Sequence, residues 1–190
     1  MRGEVISELT ESAELKKAVA EQLADSIVKA AQMIIDAYKT GNKVLLIGNG
    51  GSAADAQHLA TELVGRFMLE RKALPAIALT TDTSTLTAIS NDSGYEKVFS
   101  RQIEALAQNG DVLLAMTTSG TSPNILAAIE TAQTKGLTTI VMTGEKEESL
   151  KDKARLVLNV PSTKSPRIQE AHITIGHIIC QLVEQELFLE

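Results

Sequence analysis

Cys180 is the only cysteine in the 190-residue chain, so no internal disulfide can form, and this usage fits a reducing compartment. Aromatic residues amount to 3%, with no tryptophan. That scarcity excludes the ring platforms on which single-stranded nucleic acid stacks, and it leaves the core to Ala, Leu, Ile and Val. Positive charge is also in deficit. A net charge of −6 gives no long-range attraction for DNA, RNA or an anionic membrane, so a phosphorylated ligand has to be held locally. No apolar run reaches the roughly 18 residues of a membrane span. The N-terminus, MRGEVISELTESAEL, is polar and acidic rather than an apolar signal segment. These absences predict a soluble, cytoplasmic protein with neither a nucleic-acid nor a membrane partner.

What is present is ordinary globular material, 44% apolar and 22% charged, in a chain long enough for one domain with a substantial core. Short apolar runs alternate with amphipathic stretches, the pattern of an α/β fold on a parallel sheet. Residues 4–38 predict one or two helices, with Leu15, Val19, Leu23, Ile27, Ala30 and Ile34 near a 3.6 period. Strands are expected at 43–47, 76–79, 112–116, 139–142 and 156–160. Helices are expected at 53–66, 84–90, 95–107, 123–135 and 166–187. Nearly unbroken strands such as KVLLI and DVLLAM imply burial on both faces, so helices should flank a five-stranded parallel sheet on both sides. No linker divides the chain. The expectation is a single domain over 1–190, with a helical segment at 1–40 and an α/β core at 41–190.

One pattern occurs twice: VLLIGNGGSAADAQHLA from Val44 and VLLAMTTSGTSPNILAA from Val112. Each reads as strand, small polar loop and helix, and such loops lie at the carboxyl ends of strands, where open α/β sheets bind ligands. In the second loop, Thr117-Thr118-Ser119-Gly120-Thr121-Ser122, five of six residues carry a hydroxyl. Unpartnered N–H groups at a helix start favour a phosphate, and the hydroxyls can donate further bonds to it. A helix cap needs one hydroxyl, so capping alone does not account for the loop. The loop contains no lysine, which fits a phosphate that is bound rather than transferred. The first loop, Gly48-Asn49-Gly50-Gly51-Ser52-Ala53, satisfies G-x-G-x-x-[GA] after a strand. The acidic residue expected at the end of the second strand, about 20 positions on, is missing, with Asp82, the nearest suitable candidate, well beyond that spacing, and there is no Walker lysine. No nucleotide cofactor is expected.

Two helices carry a polar cluster. His58 and Glu62 stand at i and i+4 on one face, a spacing that suits a shared metal or a proton-transfer pair, though it is also common as a surface pair. The terminal helix supplies Gln169 and then His177 inside a strongly apolar stretch, where a histidine is either a satisfied core residue or a functional group in a dry site. Gln169 and His177 are separated by an axial rise of about 12 Å, so one metal joins both only if their side chains converge or another subunit completes the site.

GNGGSAADAQHLATELVGR, MTTSGTSPNILAAI and RIQEAHITIGHIICQL, in this order and spacing, resemble the signature segments of the bacterial phosphoheptose isomerases, single-domain SIS enzymes with a flavodoxin-like sandwich. The resemblance runs from about Gly41 to the C-terminus. It implies an aldose–ketose isomerase that takes D-sedoheptulose 7-phosphate to D-glycero-D-manno-heptose 7-phosphate, the first step toward ADP-heptose for envelope glycans. It also implies a zinc-containing homotetramer with active sites at subunit interfaces. By the same resemblance Ser52, Thr117, Thr118, Ser119 and Ser122 would bind the phosphate, while Asn49, Gly50, Gly51, Asn91, Asp92 and Gln169 would line the sugar site. His58, Glu62, Gln169 and His177 would hold zinc, with Glu62 (also placed against substrate) as base and His177 as acid. The chain departs from the family at Pro166, where an acidic residue often stands.

Two rival readings share the SIS frame. A non-catalytic adaptor that binds the bacterial replication initiator has the same loop and RIQE helix, but tends to lack the counterparts of Glu62 and His177. An isomerase of another sugar phosphate would keep the phosphate loop and differ in the cluster.

Overall fold

The computed structural model describes residues 1–146 and 149–189. The chain opens with α1 (Arg2–Lys39), one unbroken helix rather than two. Its face repeats as expected, with Val19, Leu23, Ile27, Ala30 and Ile34 all buried. The first half runs over the molecular surface, tied down by Glu8 to Arg167, Glu11 to Lys164 and Ser12 to Glu170. Then follow β1 (Val44–Gly48), α2 (Gly51–Val64), β2 (Ala76–Ala78) and α3 (Thr83–Ser93). Asp82 caps α3 by accepting from the Thr85 N–H at 3.0 Å.

The helix expected over 95–107 is broken. A 3₁₀ turn, Tyr95–Lys97, leads into α4 (Ser100–Leu106). Between them Val98 and Phe99 are fully buried, and driving both into the core redirects the chain at a point where local helical preference is uninterrupted. The chain continues through β3 (Val112–Met116), α5 (Pro123–Thr134), β4 (Thr138–Thr143), β5 (Leu156–Asn159) and α6 (Ser165–Phe188).

All five strands are parallel, in the order β2-β1-β3-β4-β5. Alternate residues of each strand enter two separate cores. Val44, Leu46, Val112 and Leu114 pack with α1, α2 and α6, whereas Leu45, Ile47, Leu113 and Ala115 pack with α4 and α5. Helices thus cover both faces, as the uniformly apolar strands predict. The strand order reverses between β1 and β3, where one connection leaves toward β2 and the other toward β4. That reversal is where an open sheet of this kind leaves a crevice.

Candidate functional site

β1 and β3 pair in register from Val44 opposite Val112 to Gly48 opposite Met116, so the two similar loops leave the sheet side by side. Their helices then diverge, α2 to one face and α5 to the other. A reciprocal amide pair ties the loops together. Asn49 Nδ2 donates to Asn124 Oδ1 at 2.9 Å, and Asn124 Nδ2 donates back to Asn49 Oδ1 at 2.8 Å. Tyr95 adds its hydroxyl to the same Asn49 oxygen at 3.1 Å. Asn124 is 2% exposed and stands in the first turn of α5, so an amide from that helix fixes the glycine-rich loop.

The hydroxyl-rich loop is shaped partly by its own side chains. Buried Thr117 accepts from the Gly120 N–H at 3.2 Å, and Ser119 accepts from the Thr121 N–H and hydroxyl, both at 3.3 Å. Ser122 stands at the N-cap of α5 with Pro123 next, yet its side chain makes no cap bond. Simple capping is therefore not its role in this geometry. A cavity of about 240 Å³ adjoins the loop. Thr118, Ser119 and Thr121 line one part of it and Ser162, Thr163 and Ser165 another. Ser165 donates to Thr118 Oγ1 at 3.3 Å, so the start of α6 meets the loop. Glu145 and Lys146 also line this cavity, so the fold brings up one charge of each sign that the loop itself does not contain.

The imidazoles and the carboxylate come together where α2 crosses α6. A Cβ at Gly176 would stand 2.5 Å from Leu59 Cδ1, so any larger residue there would force the Leu59 side chain to move from between the helices. Leu59 and Leu63 face the core, which leaves His58 and Glu62 on the side toward α6. His58 Nε2 lies 2.9 Å from His177 Nε2 and 3.2 Å from Glu62 Oε1. One donor atom from each of the three falls within 4.8 Å of the others. The edge of a tetrahedral zinc site with two imidazoles and a carboxylate is about 3.3 Å, so this donor set fits such an ion. Phe67 stacks beside His177 with ring centroids 5.5 Å apart.

Of the chain's three histidines, the core residue is His172 rather than His177. Burial pushes the His172 imidazole down to about 4, against a partly offsetting bond to the Thr143 carbonyl oxygen, so it stays neutral. Asp55, one turn before His58, has a buried oxygen without a partner. Burial raises its carboxyl above the usual range, with His58 pulling the other way.

The remaining expected residues fall into two groups. Ser52 is buried in the first turn of α2 beside the glycine loop. Gln169 lies against that loop as well, since a Cβ on Gly51 would meet its Nε2 at 2.5 Å. Asn91 and Asp92 end α3, both exposed, with Asn91 Nδ2 donating to Asp92 Oδ1 at 2.9 Å. Asn124, Tyr95, Lys146 and Ser165 were not singled out by sequence reading. Asn124 left the only trace there, an amide directly after the Ser-Pro helix start.

Residues 9–144 match the SIS domain family. The phosphoheptose isomerase of Citrifermentans bemidjiense is 55% identical over 190 residues, all of this chain and 99% of the relative. That of Aquifex aeolicus is 55% identical over 175 residues, 92% of each. The solved phosphoheptose isomerase structure from Neisseria gonorrhoeae superposes with a TM-score of 0.91 at 39% identity, covering 97% of this chain and 98% of that one. The structure from Francisella tularensis gives 0.93 at 38% identity, with 96% and 97% covered.

Proposed function

Because this chain belongs to the SIS-domain family, among the phosphoheptose isomerases, we propose that it interconverts D-sedoheptulose 7-phosphate and D-glycero-D-manno-heptose 7-phosphate through an enediol, opening the route to ADP-heptose. The observation that carries this reading is the meeting of His58, Glu62 and His177 within 4.8 Å, in a fold whose hydroxyl-rich loop leaves the same switch point. The whole chain is read as one SIS domain.

The substrate phosphate sits against Thr117, Thr118, Ser119, Ser122 and Ser52, with the α5 N-terminus behind it. Asn49, Gly50, Gly51, Asn91, Asp92 and Gln169 line the sugar. The ketose presents its C1–C2 end to the cluster. Glu62 takes a proton from C1, giving the enediol, and returns it to C2. His177 gives a proton to the C2 oxygen, and the C1 hydroxyl proton is released to it as the aldehyde forms. No redox cofactor enters this balance.

His58, Glu62 and His177, with Gln169 as fourth donor, are the residues that would hold zinc. When bound, the ion would supply Lewis-acid polarisation of the substrate oxygens. Holding a metal would make the Glu62 carboxylate a poorer base, so its two roles, donor to the ion and proton carrier, oppose each other. The protein is read as a homotetramer with sites completed across subunits. An apolar groove between α1 and α6, in which Val28 is 57% and Ile178 39% exposed, supports association with another copy; the number of subunits and the shared sites follow from the family resemblance. The location is read as cytoplasmic from the family resemblance; no helix among the described residues is long and apolar enough to cross a membrane.

The test is turnover. Purified zinc-loaded protein should isomerise sedoheptulose 7-phosphate and leave pentose and amino-sugar phosphates largely unchanged. Preference for another sugar phosphate would reassign the substrate. Absence of turnover with capture of the replication initiator would favour the adaptor.

A further inference from the structure

Glu184 stands about two turns beyond His177 on α6, on the same face, and only 2% of its side chain is exposed. Its carboxylate accepts from the N–H groups of Phe67 (3.1 Å), Met68 (2.7 Å) and Leu69 (2.9 Å), and from Arg71 Nε at 2.9 Å. Burial raises its pKa, but these four donors outweigh burial and hold it below the usual carboxylate range. Arg71, 1% exposed, donates its remaining N–H groups to the carbonyl oxygens of Glu62 at 2.7 Å, Leu63 at 2.8 Å and Lys72 at 3.0 Å. The last carbonyls of a helix have no partner within it, so Arg71 closes the end of α2 while Glu184 anchors the loop that follows.

A dry ion pair is a weak device for stability alone, because apolar side chains of equal volume often do as well. What charges add is direction. Here they reach three places at once: the turn of α2 that carries Glu62, the loop that presses Phe67 onto His177, and α6 itself.

We propose that Arg71 and Glu184 are positioning residues, setting the His58–Glu62 face of α2 against His177 at the spacing the donor group requires. This inference rests on the reading of His58, Glu62 and His177 as a metal-holding set. In the full-length protein, stripped with a chelator and reloaded with zinc, Arg71→Lys and Glu184→Gln should lower zinc affinity about 10- to 100-fold in a competition titration. They should lower kcat comparably, with KM within about threefold of the parent, because the phosphate loop is untouched. Arg71→Met/Glu184→Leu keeps the volume without the directed bonds, and should fold with the same loss of affinity. If the folded variants melt lower yet keep the parent's zinc affinity and kcat, the pair is structural only and the proposal fails. Zinc uptake by the parent, and its loss in His177→Ala, tests the metal-holding reading separately. A parent that takes up no zinc would overturn that reading and this inference with it.

Discussion

The two ends of the site are built on opposite plans. At the hydroxyl-rich loop Thr117, Thr118, Ser119 and Ser122 offer several donors of one kind, which on the proposed reading share a single anion among them. At the crossing of α2 and α6, three side chains converge within 4.8 Å, and Glu62 is the one carboxylate among them. Redundancy suits binding, because a neighbouring donor or a water takes over part of any one bond that is lost. Proton transfer does not tolerate it, since the base must stand at one carbon with one geometry. The difference predicts that substitutions at the two ends will separate cleanly into effects on kcat and on KM.

The sharpest way to break this contrast is Glu62→Gln. It keeps the volume and the hydrogen-bonding reach and removes the base. We expect kcat to fall about 10²- to 10⁴-fold, while affinity for inorganic phosphate, measured by calorimetry, stays within about twofold. Activity near the parent's would remove Glu62 from the proton-transfer role.

The same contrast governs what sequence reading could reach. The hydroxyl-rich loop is local: six consecutive residues between a buried strand and a Ser-Pro helix start disclose it. The sheet was equally open to reading, because strands buried on both faces are apolar without a gap. The cluster is not local. His58 and His177 are 119 positions apart, and their 2.9 Å approach depends on Gly176 clearing Leu59, a packing fact no spacing rule contains. Arg71 and Glu184 were invisible for the same reason, since each looks like an exposed charge until its partner is known. The helix expected over 95–107 failed where Val98 and Phe99 turn into the core, because tertiary burial overrides local preference.

Between the two ends lies Asn124, which belongs to neither plan and holds them in register. Asn124→Ala would leave the part-buried Asn49 Nδ2 without its acceptor, with only Tyr95 still holding Asn49 Oδ1, and would open a cavity at a site 2% exposed to water. A lost partner at a buried polar group costs about 1–3 kcal/mol. The expected result is a fall of about tenfold or more in kcat/KM shared between kcat and KM, because the glycine loop shifts against the phosphate helix. A change confined to KM would mean that the link serves only the phosphate end.

The smallest effect should come from Ser119→Ala. Ser119 is exposed, and its hydroxyl oxygen already accepts from Thr121, so the substitution removes one donor from a set and frees one local contact. A hydroxyl bond to an anion is worth about 1.5–3 kcal/mol, but water and the neighbouring hydroxyls offset part of that loss at this exposed position, so KM should rise about 5- to 12-fold. Because the phosphate is held alike in ground and transition states, kcat should not move. A fall in kcat of tenfold or more would mean that the loop does more than bind. The phosphate end would then share the cluster's dependence on single groups, and the division of labour drawn between the two regions would be wrong.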